Sequence, residues 1–362
     1  MKITKIELLN FRNYKKIVFD NLEQLNIIIG DNGVGKTSIL EAIYFCSIAK
    51  SFKSSNDLVL INNEFSHSKV KISIFDTNTK KLEIDLSELG KVTKINSVKK
   101  RKLSDFIFKY NVVLYSPDEI RLIKDSPVVR RNYFNIFLSQ TNKYYLKLLN
   151  DYNKLIKLKN DYLKKTVNIN DLYLDVLDSQ LSVLGAQISD LRYKYIQKLN
   201  KYLKKNYKIF NKKSSFSIEY KSDFLFKTSD EIVTLLKSRR KKEIVLKNSS
   251  TGIHRDDYIF LYDGKVAKDF CSQGIQKSLI LTLKFSEIDL LIEEYNIYPI
   301  LLLDDLFSEL DLTNRKKILR KINDKIQVFI TTTDVNLIDK KLLTNAKVLK
   351  ITGNGDVEDG RK

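Results

Sequence analysis

Residues 30 to 37 read GDNGVGKT, which fits the pattern G-x-x-x-x-G-K-[ST]. Glycines at Gly30, Gly33 and Gly35, with Asp31, Asn32 and Val34 between them, let successive backbone N–H groups curl round the β-phosphate of a nucleotide. Lys36 is then placed to bridge the β- and γ-phosphates, and the Thr37 hydroxyl to bind Mg²⁺. A second group of candidates stands at residues 300 to 311, ILLLDDLFSELD. Four apolar residues running into Asp304 and Asp305 describe a buried parallel strand that delivers carboxylates to the C-terminal edge of a sheet, where ligands bind in open α/β folds. Asp304 there holds Mg²⁺ through water. A third group is CSQGIQ, residues 271 to 276, with Ser272 as the N-cap of a long helix and Gly274 close by. Exposed N–H groups and the positive dipole end at such a helix start face an anion.

The elements that must carry these groups follow from periodicity. ITKIELLNF and KKIVFD alternate as strands, LNIII is an apolar strand ending at Gly30, and the stretch from Thr37 to Lys50 has the apolar spacing of a helix with one deeply buried face. Residues 69 to 115 return to short strands, KVKISIF, KLEIDLS and NVVLYS, separated by polar turns. From about Ser116 to Asn211 the spacing of Leu, Ile and Tyr is helical, but no heptad is kept long enough for a coiled-coil arm. A mixed basic stretch around SRRKKEIVLK leads to the strand YIFLYDG, the helix SQGIQKSLILTLKFSEIDLLIEEY, the strand ILLLDD, a helix from about Leu312 to Ile322 and the strand QVFITTT. Strand, helix and strand in close succession predict right-handed parallel crossovers. The expected architecture is α/β: a nucleotide-binding lobe of residues 1–115 and 250–362 with a mixed, partly parallel sheet, split in sequence by an inserted basic, mainly helical lobe of residues 116–249.

At 362 residues the chain suits two compact units, or one with a large insertion. A 43% hydrophobic content with 19 Tyr and 19 Phe excludes a mainly disordered chain. No apolar run approaches the roughly 20 residues of a membrane span and the N-terminus alternates like a strand, so a cytoplasmic, nucleoid-associated protein with no membrane partner is expected. Cys46 and Cys271 have no spacing that completes a zinc or disulfide scaffold. The formal charge of +20 draws the chain to polyanions. Much of it is lysine, 52 residues against 12 arginines, yet it is unevenly spread: residues 141 to 250 hold 24 Lys or Arg against 11 Asp or Glu. No base-reading motif is visible, so any nucleic-acid binding is expected to be sequence-nonspecific.

A phosphate loop, a Ser-x-Gly helix start, a strand ending in Asp-Asp and the loop Ser308-Glu309-Leu310-Asp311, in that chain order with the helix start between the two edges, resemble the ABC-type ATPase head. Over essentially the whole chain the resemblance is to the RecF-like family. It is carried by ELLNFRNY, GDNGVGKTSILEAIY, SPDEIRLIKDSPVVRRNYFN, TGIHRDD, SQGIQKS, LLLDDLFSELD and TTTD at 331 to 334. Arg12, Arg130, Arg131 and Arg255 fall inside these stretches, at sites where guanidinium geometry counts for more than bare charge. The resemblance implies a slow, DNA-stimulated ATPase that uses ATP and Mg²⁺, with Asp305 in the place where many such ATPases put the Glu that polarises the attacking water. Thr333 stands where transporter-type ATPases carry a His. It also implies an ATP-dependent homodimer in which each ATP lies between one chain's phosphate loop and the other's signature helix, with contacts from Ser272 and Gly274. That dimer would clasp gapped or single-strand/double-strand DNA and act with RecO and RecR in loading RecA. Two departures stand out: Ile275 occupies the usual signature Gln position, with Gln276 one residue later, and Asn135 stands where relatives commonly have Asp.

Three rival functions compete. A transporter ATPase subunit does not account for roughly 235 residues between phosphate loop and signature, nor for the basic middle. A chromosome-organising head of the SMC type needs long heptad arms. A structural DNA-binding protein in which ATP is only an assembly switch would use the same ligands.

Overall fold

The computed structural model describes residues 1–309 except 167, together with 325–334, 343, 346–352 and 357–359. The helix expected from about Leu312 to Ile322, and Leu310 and Asp311, lie outside the described residues. The chain divides into two compact units, Met1–Glu119 with Glu287–Lys362, and Ile120–Ser286. Among the described residues no helix is long and apolar enough to cross a membrane.

The first unit opens with strands β1 (Lys2–Phe11), β2 (Tyr14–Phe19) and β3 (Leu25–Ile29), the helix α1 (Lys36–Ile48), then β4 (His67–Phe75), β5 (Thr79–Ser87), β6 (Gly90–Ile95), β7 (Val98–Lys99) and β8 (Val112–Tyr115). In the second unit come α2 (Arg121–Lys124), α3 (Pro127–Thr141), α4 (Lys143–Lys165), α5 (Asp171–Tyr207), β9 (Phe216–Lys221), α6 (Ser229–Leu246), β10 (Asp257–Tyr262), β11 (Lys265–Val266) and α7 (Ala267–Phe270). The helix α8 (Gln273–Tyr295) follows, and the boundary at Ser286 falls inside it. Strands β12 (Ile300–Leu303), β13 (Val328–Thr332), β14 (Ala346–Ile351) and β15 (Val357–Asp359) return to the first unit.

Two six-stranded sheets build the first unit, an antiparallel one in the order β2-β1-β4-β5-β6-β7 and a mainly parallel one in the order β15-β14-β3-β13-β12-β8. The antiparallel strands alternate buried and exposed residues, as a sheet with one solvated face must. In the parallel sheet β8, β12 and β13 are buried at every position, and their sequences are apolar except for Thr331 and Thr332 at the end of β13. Helix α1 is buried on nearly all sides because both sheets cover it. Ile39, Leu40, Ile43 and Phe45 share one cluster with Ile6, Ile72 and Ile84 of the antiparallel sheet and with Ile28, Leu302 and Phe329 of the parallel one.

The second unit is mainly helical, as expected, and also carries a sheet. Its three-stranded sheet β11-β10-β9 pairs Tyr220 with Tyr258 and Ile218 with Phe260. This pairing ties residues near 220 to residues near 260, so the compact unit runs on to Ser286 and the sequence boundary near residue 250 moves with it. The mixed basic stretch SRRKKEIVLK is the second half of the helix α6, which is started by a capping box of Thr228 and Glu231; the strand β9 precedes it.

Candidate nucleotide site

Sheet order explains how residues 270 positions apart come together. In the parallel sheet β13 lies between β3, which delivers the phosphate loop, and β12, which delivers the two acids. The strands β3 and β13 end level, with Thr332 opposite Ile29, and β12 ends with Leu303 opposite Ile330, so Asp304 and Asp305 follow beside the last residues of β13. Thr331, near the end of the middle strand, therefore reaches both acids. Its hydroxyl donates to Asp304 Oδ1 at 2.7 Å and accepts from the Asp305 amide at 2.9 Å. The Thr37 hydroxyl donates to the same Asp304 oxygen at 2.8 Å. The sequence singled out residues 331 to 334 as a motif without giving Thr331 a role; its position in the middle strand supplies one.

The loop itself is clamped from the side. At Gly35 φ is +105°, and a Cβ there would stand 2.6 Å from Asn13 Nδ2 and 2.7 Å from the Tyr14 hydroxyl. Only glycine satisfies both the backbone and the space. Asn13 Nδ2 in turn donates to the Val34 carbonyl at 3.0 Å, so the β1–β2 turn holds the loop's shape. Val34 packs towards the core, while Asn32, Gly33 and Gly35 line a cavity of about 270 Å³ together with Lys36, Thr37, Asp304 and Asp305. That volume is below the roughly 300 to 1,000 Å³ of a pocket enclosing a drug-sized ligand, and suits phosphates more than a whole nucleotide. Lys53, exposed at the cavity wall, had no sequence signal, being one lysine among many.

Charges in the cavity are held at a cost. Lys36 donates to the Gly30 and Asp31 carbonyls, each at 2.7 Å. Burial pulls its pKa down, while the fields of Asp305, Asp304 and Asp31 oppose that shift. For Asp304 burial raises the carboxyl above the ordinary carboxylate range, against hydrogen bonds from Thr331 and Thr37 and the field of Lys53. A buried carboxylate beside a hydroxyl, at the foot of a phosphate loop, is a donor set that fits Mg²⁺, which takes one or two carboxylates and leaves its other positions to water and phosphate oxygens. Asp305 has φ of +47°, a left-handed conformation that aspartate and asparagine adopt more readily than other residues with a Cβ.

Ser272 and Gly274 belong to the second unit, at the start of α8. Both are exposed, the Ile275 amide reaches the Ser272 hydroxyl only at 3.5 Å, and a Cβ on Gly274 would meet nothing within 4 Å. Local packing therefore does not demand a glycine there. Gln276 does not replace the missing Gln at 275: it is buried, and its side-chain amide donates to the Cys271 carbonyl at 3.1 Å. Thr333 is exposed just beyond β13 and is not among the cavity-lining residues. Arg12 forms a two-pronged pair with the buried Glu41 of α1, at 2.8 and 2.7 Å. Arg130 makes the same kind of pair with Asp257, at 2.7 and 3.0 Å. Asn135 has a clear place: its side-chain oxygen accepts from the Tyr145 hydroxyl at 2.6 Å and from Arg192 at 2.8 Å.

Residues 2–116 match the family described as RecF/RecN/SMC N terminal domain. Over 343 residues, 92% of each chain, the sequence is 40% identical to the DNA replication and repair protein RecF of Streptococcus agalactiae. The chain belongs to the RecF family. The RecF of Streptococcus suis is 38% identical over 348 residues, 94% of this chain and 95% of that one. Among solved structures, that of the recombination mediator protein RecF with ATP, from the RecFOR pathway, superposes with a TM-score of 0.90 at 30% identity, covering 98% of this chain and 96% of the other. The Smc head bound to the C-winged helix domain of ScpA superposes with a TM-score of 0.56 at 16% identity over 98% and 96% of the two chains, a likeness of fold alone. The RecF fold, an ABC-type head with a mixed α/β sheet, is the architecture expected from the motifs.

Proposed function

We propose that this chain is an ATP-dependent DNA-binding protein of recombinational repair and replication restart, and a slow ATPase stimulated by DNA. The observation that carries the reading is the convergence of Lys36, Thr37, Asp304 and Asp305 on one cavity at a sheet edge, with Thr37 bonded to Asp304 and Thr331 bonded to both acids. The RecF–ATP relative supports ATP as the ligand. Lys36, now bonded to two loop carbonyls, exchanges one of them for phosphate oxygens when ATP enters. Thr37 and Asp304 would hold Mg²⁺, which would supply charge neutralisation at the phosphates. Asp305 orients the attacking water and accepts its proton. The exposed start of α8, with Ser272 and the bare Gly274, presents N–H groups to the nucleotide of a second copy, giving an ATP-dependent homodimer that clasps gapped or single-strand/double-strand DNA and works with RecO and RecR. The basic second unit supplies sequence-nonspecific phosphate contacts.

The test is multiple-turnover ATP hydrolysis with and without gapped DNA, run on the wild type and Asp305→Asn, with nucleotide affinity measured alongside. Asparagine adopts the left-handed conformation readily, so the substitution keeps the fold. Turnover is expected to rise with DNA and to fall about 10²- to 10⁴-fold in the variant while ATP binding stays. Wild-type turnover that never exceeds one ATP per site would favour an assembly switch, and equal turnover by the variant would remove Asp305 from the reaction.

A further inference from the structure

Two ion networks in the second unit are buried more deeply than Lys36 or Asp304. In the first, Lys159 of α4 pairs with Asp178 of α5 and Glu243 of α6, each at 2.7 Å, with all three side chains at most 1% exposed. The other Glu243 oxygen accepts from the Ser250 and Thr251 amides, at 2.7 and 3.3 Å. In the second, Arg192 of α5 pairs with Asp256, donates to the Ile253 carbonyl at 2.9 Å, and is joined at Asp256 by the Tyr220 hydroxyl. Buried ion pairs carry a large desolvation cost and seldom stabilise more than an apolar replacement. What these two share is the segment they hold, Ser249 to Asp257. One network fixes its beginning and the other its end.

On this fixed segment the charges do not balance. Asp256 is matched by Arg192 and Asp257 by Arg130. Arg255 and the neighbouring Arg131 of α3 are anchored by backbone carbonyls instead: Arg131 donates to the Asp256 carbonyl at 2.7 Å and Arg255 to the Ser249 carbonyl at 2.8 Å. Among the described residues neither has a carboxylate within ion-pair distance. A carbonyl anchor orients a guanidinium yet leaves its charge and most of its five N–H donors free. His254, beside them, adds no charge near neutral pH, because burial first, and the fields of Arg255 and Arg131 with it, hold its pKa down to about 4. Arg131 is itself half-buried. Burial, with the like charges of Arg192 and Arg255, makes its charge costly even against the fields of Asp256 and Asp257. An oxyanion would relieve that cost.

We propose that Arg131 and Arg255 form a preorganised seat for a phosphate oxyanion, held rigid by the two buried networks, and that its occupant is a backbone phosphate of DNA. Planar guanidinium groups match phosphate in a way that lysine does not. The DNA source rests on the function proposed above; the seat does not.

The test compares wild type with Arg131→Gln/Arg255→Gln, the conservative Arg131→Lys/Arg255→Lys, and a control that neutralises the exposed Lys99 and Lys102. Binding of a fluorescent gapped duplex is measured from 50 to 200 mM salt, and Mg–ATP binding in parallel, with circular dichroism to check the fold. The Gln pair is expected to lose DNA affinity tenfold or more and to flatten the log-log salt slope by about 0.9, the contribution of the one phosphate no longer neutralised. ATP affinity should hold, and the Lys pair should recover only part of the loss. A Gln pair that loses ATP affinity and keeps DNA affinity would assign the seat to a nucleotide phosphate and overturn the DNA source. Unchanged affinity for both ligands, or a loss no greater than the control's, would overturn the seat. A wild type that binds no DNA at all would instead sink the DNA-binding reading on which the source depends.

Discussion

Asp304, at the foot of the candidate site, is a carboxyl whose burial bears on the stability of the fold. Its folded pKa is raised, first by burial. A carboxyl raised above its unfolded value contributes stability that is complete below the ordinary carboxylate pKa and is lost as pH rises through the folded value. At pH 7.5 the charged Asp304 is therefore a net cost. Asp304→Asn keeps an oxygen to accept from Thr37 and Thr331, so it should raise the thermal midpoint at pH 7.5, by a margin that shrinks towards pH 4. It should also erase the stabilisation that Mg–ATP gives the wild type. Differential scanning fluorimetry at both pH values, with and without Mg–ATP, reads both effects; a variant less stable than wild type at pH 7.5 would contradict the account. Lys36, Thr37 and Asp304 were legible because a phosphate loop and an acidic strand end use fixed spacings. Thr331 and Asn13 were not, because each acts through a neighbour brought close by sheet order or a turn.

At the scale of elements, the sequence showed β3, α1, β12 and β13 plainly, since each is apolar almost throughout and bounded by turn or site residues. It did not show β9 and α6, where SSFSIEYK and SRRKKEIVLK are too polar to betray a period. Their burial is made by partners: Tyr220 lies opposite Tyr258, and α6 is fastened through Glu243. The fastening is testable. Lys159→Met removes one cation from between Asp178 and Glu243 and leaves two buried carboxylates facing each other, with only Arg240 still paired to Asp178, at 2.8 Å. Breaking a buried pair by removing one partner typically costs about 3 to 5 kcal/mol. Urea denaturation of Lys159→Met should show a loss of that size, and a companion Lys159→Met/Glu243→Gln should recover part of it. If the single variant loses less than about 1 kcal/mol, the network does not staple α4, α5 and α6.

At the scale of the whole molecule, the proposed clamp makes separate demands on assembly and on charge. Ser272→Arg places a bulky cation at the exposed start of α8 and removes its cap; sedimentation should show ATP binding intact and the ATP-dependent dimer lost. A dimer that persists would return Ser272 to an ordinary helix cap. Charge asks for a positional test, because lysine is abundant everywhere in this chain. On the antiparallel sheet of the first unit it is largely answered by acid: Lys69 and Lys94 pair with Asp85 at 3.1 and 2.6 Å, and Lys94 also with Glu83 at 2.9 Å. In the second unit Lys157, Lys164 and Lys201 are exposed and make no ion pair among the described residues. Neutralised lysines release few counterions on binding DNA, whereas free ones release nearly one each, so six phosphate contacts give a log-log salt slope of about −5. Reversing Lys157, Lys164 and Lys201 to Glu should therefore weaken DNA binding steeply and leave ATP affinity unchanged. Reversing Lys80, Lys99 and Lys102 of the first unit, equally exposed and likewise without an ion pair among the described residues, should do much less, because they stand outside the stretch where basic residues outnumber acidic ones two to one. Equal losses from the two sets would mean that the +20 acts as one diffuse field and that the clamp surface is not concentrated in the second unit.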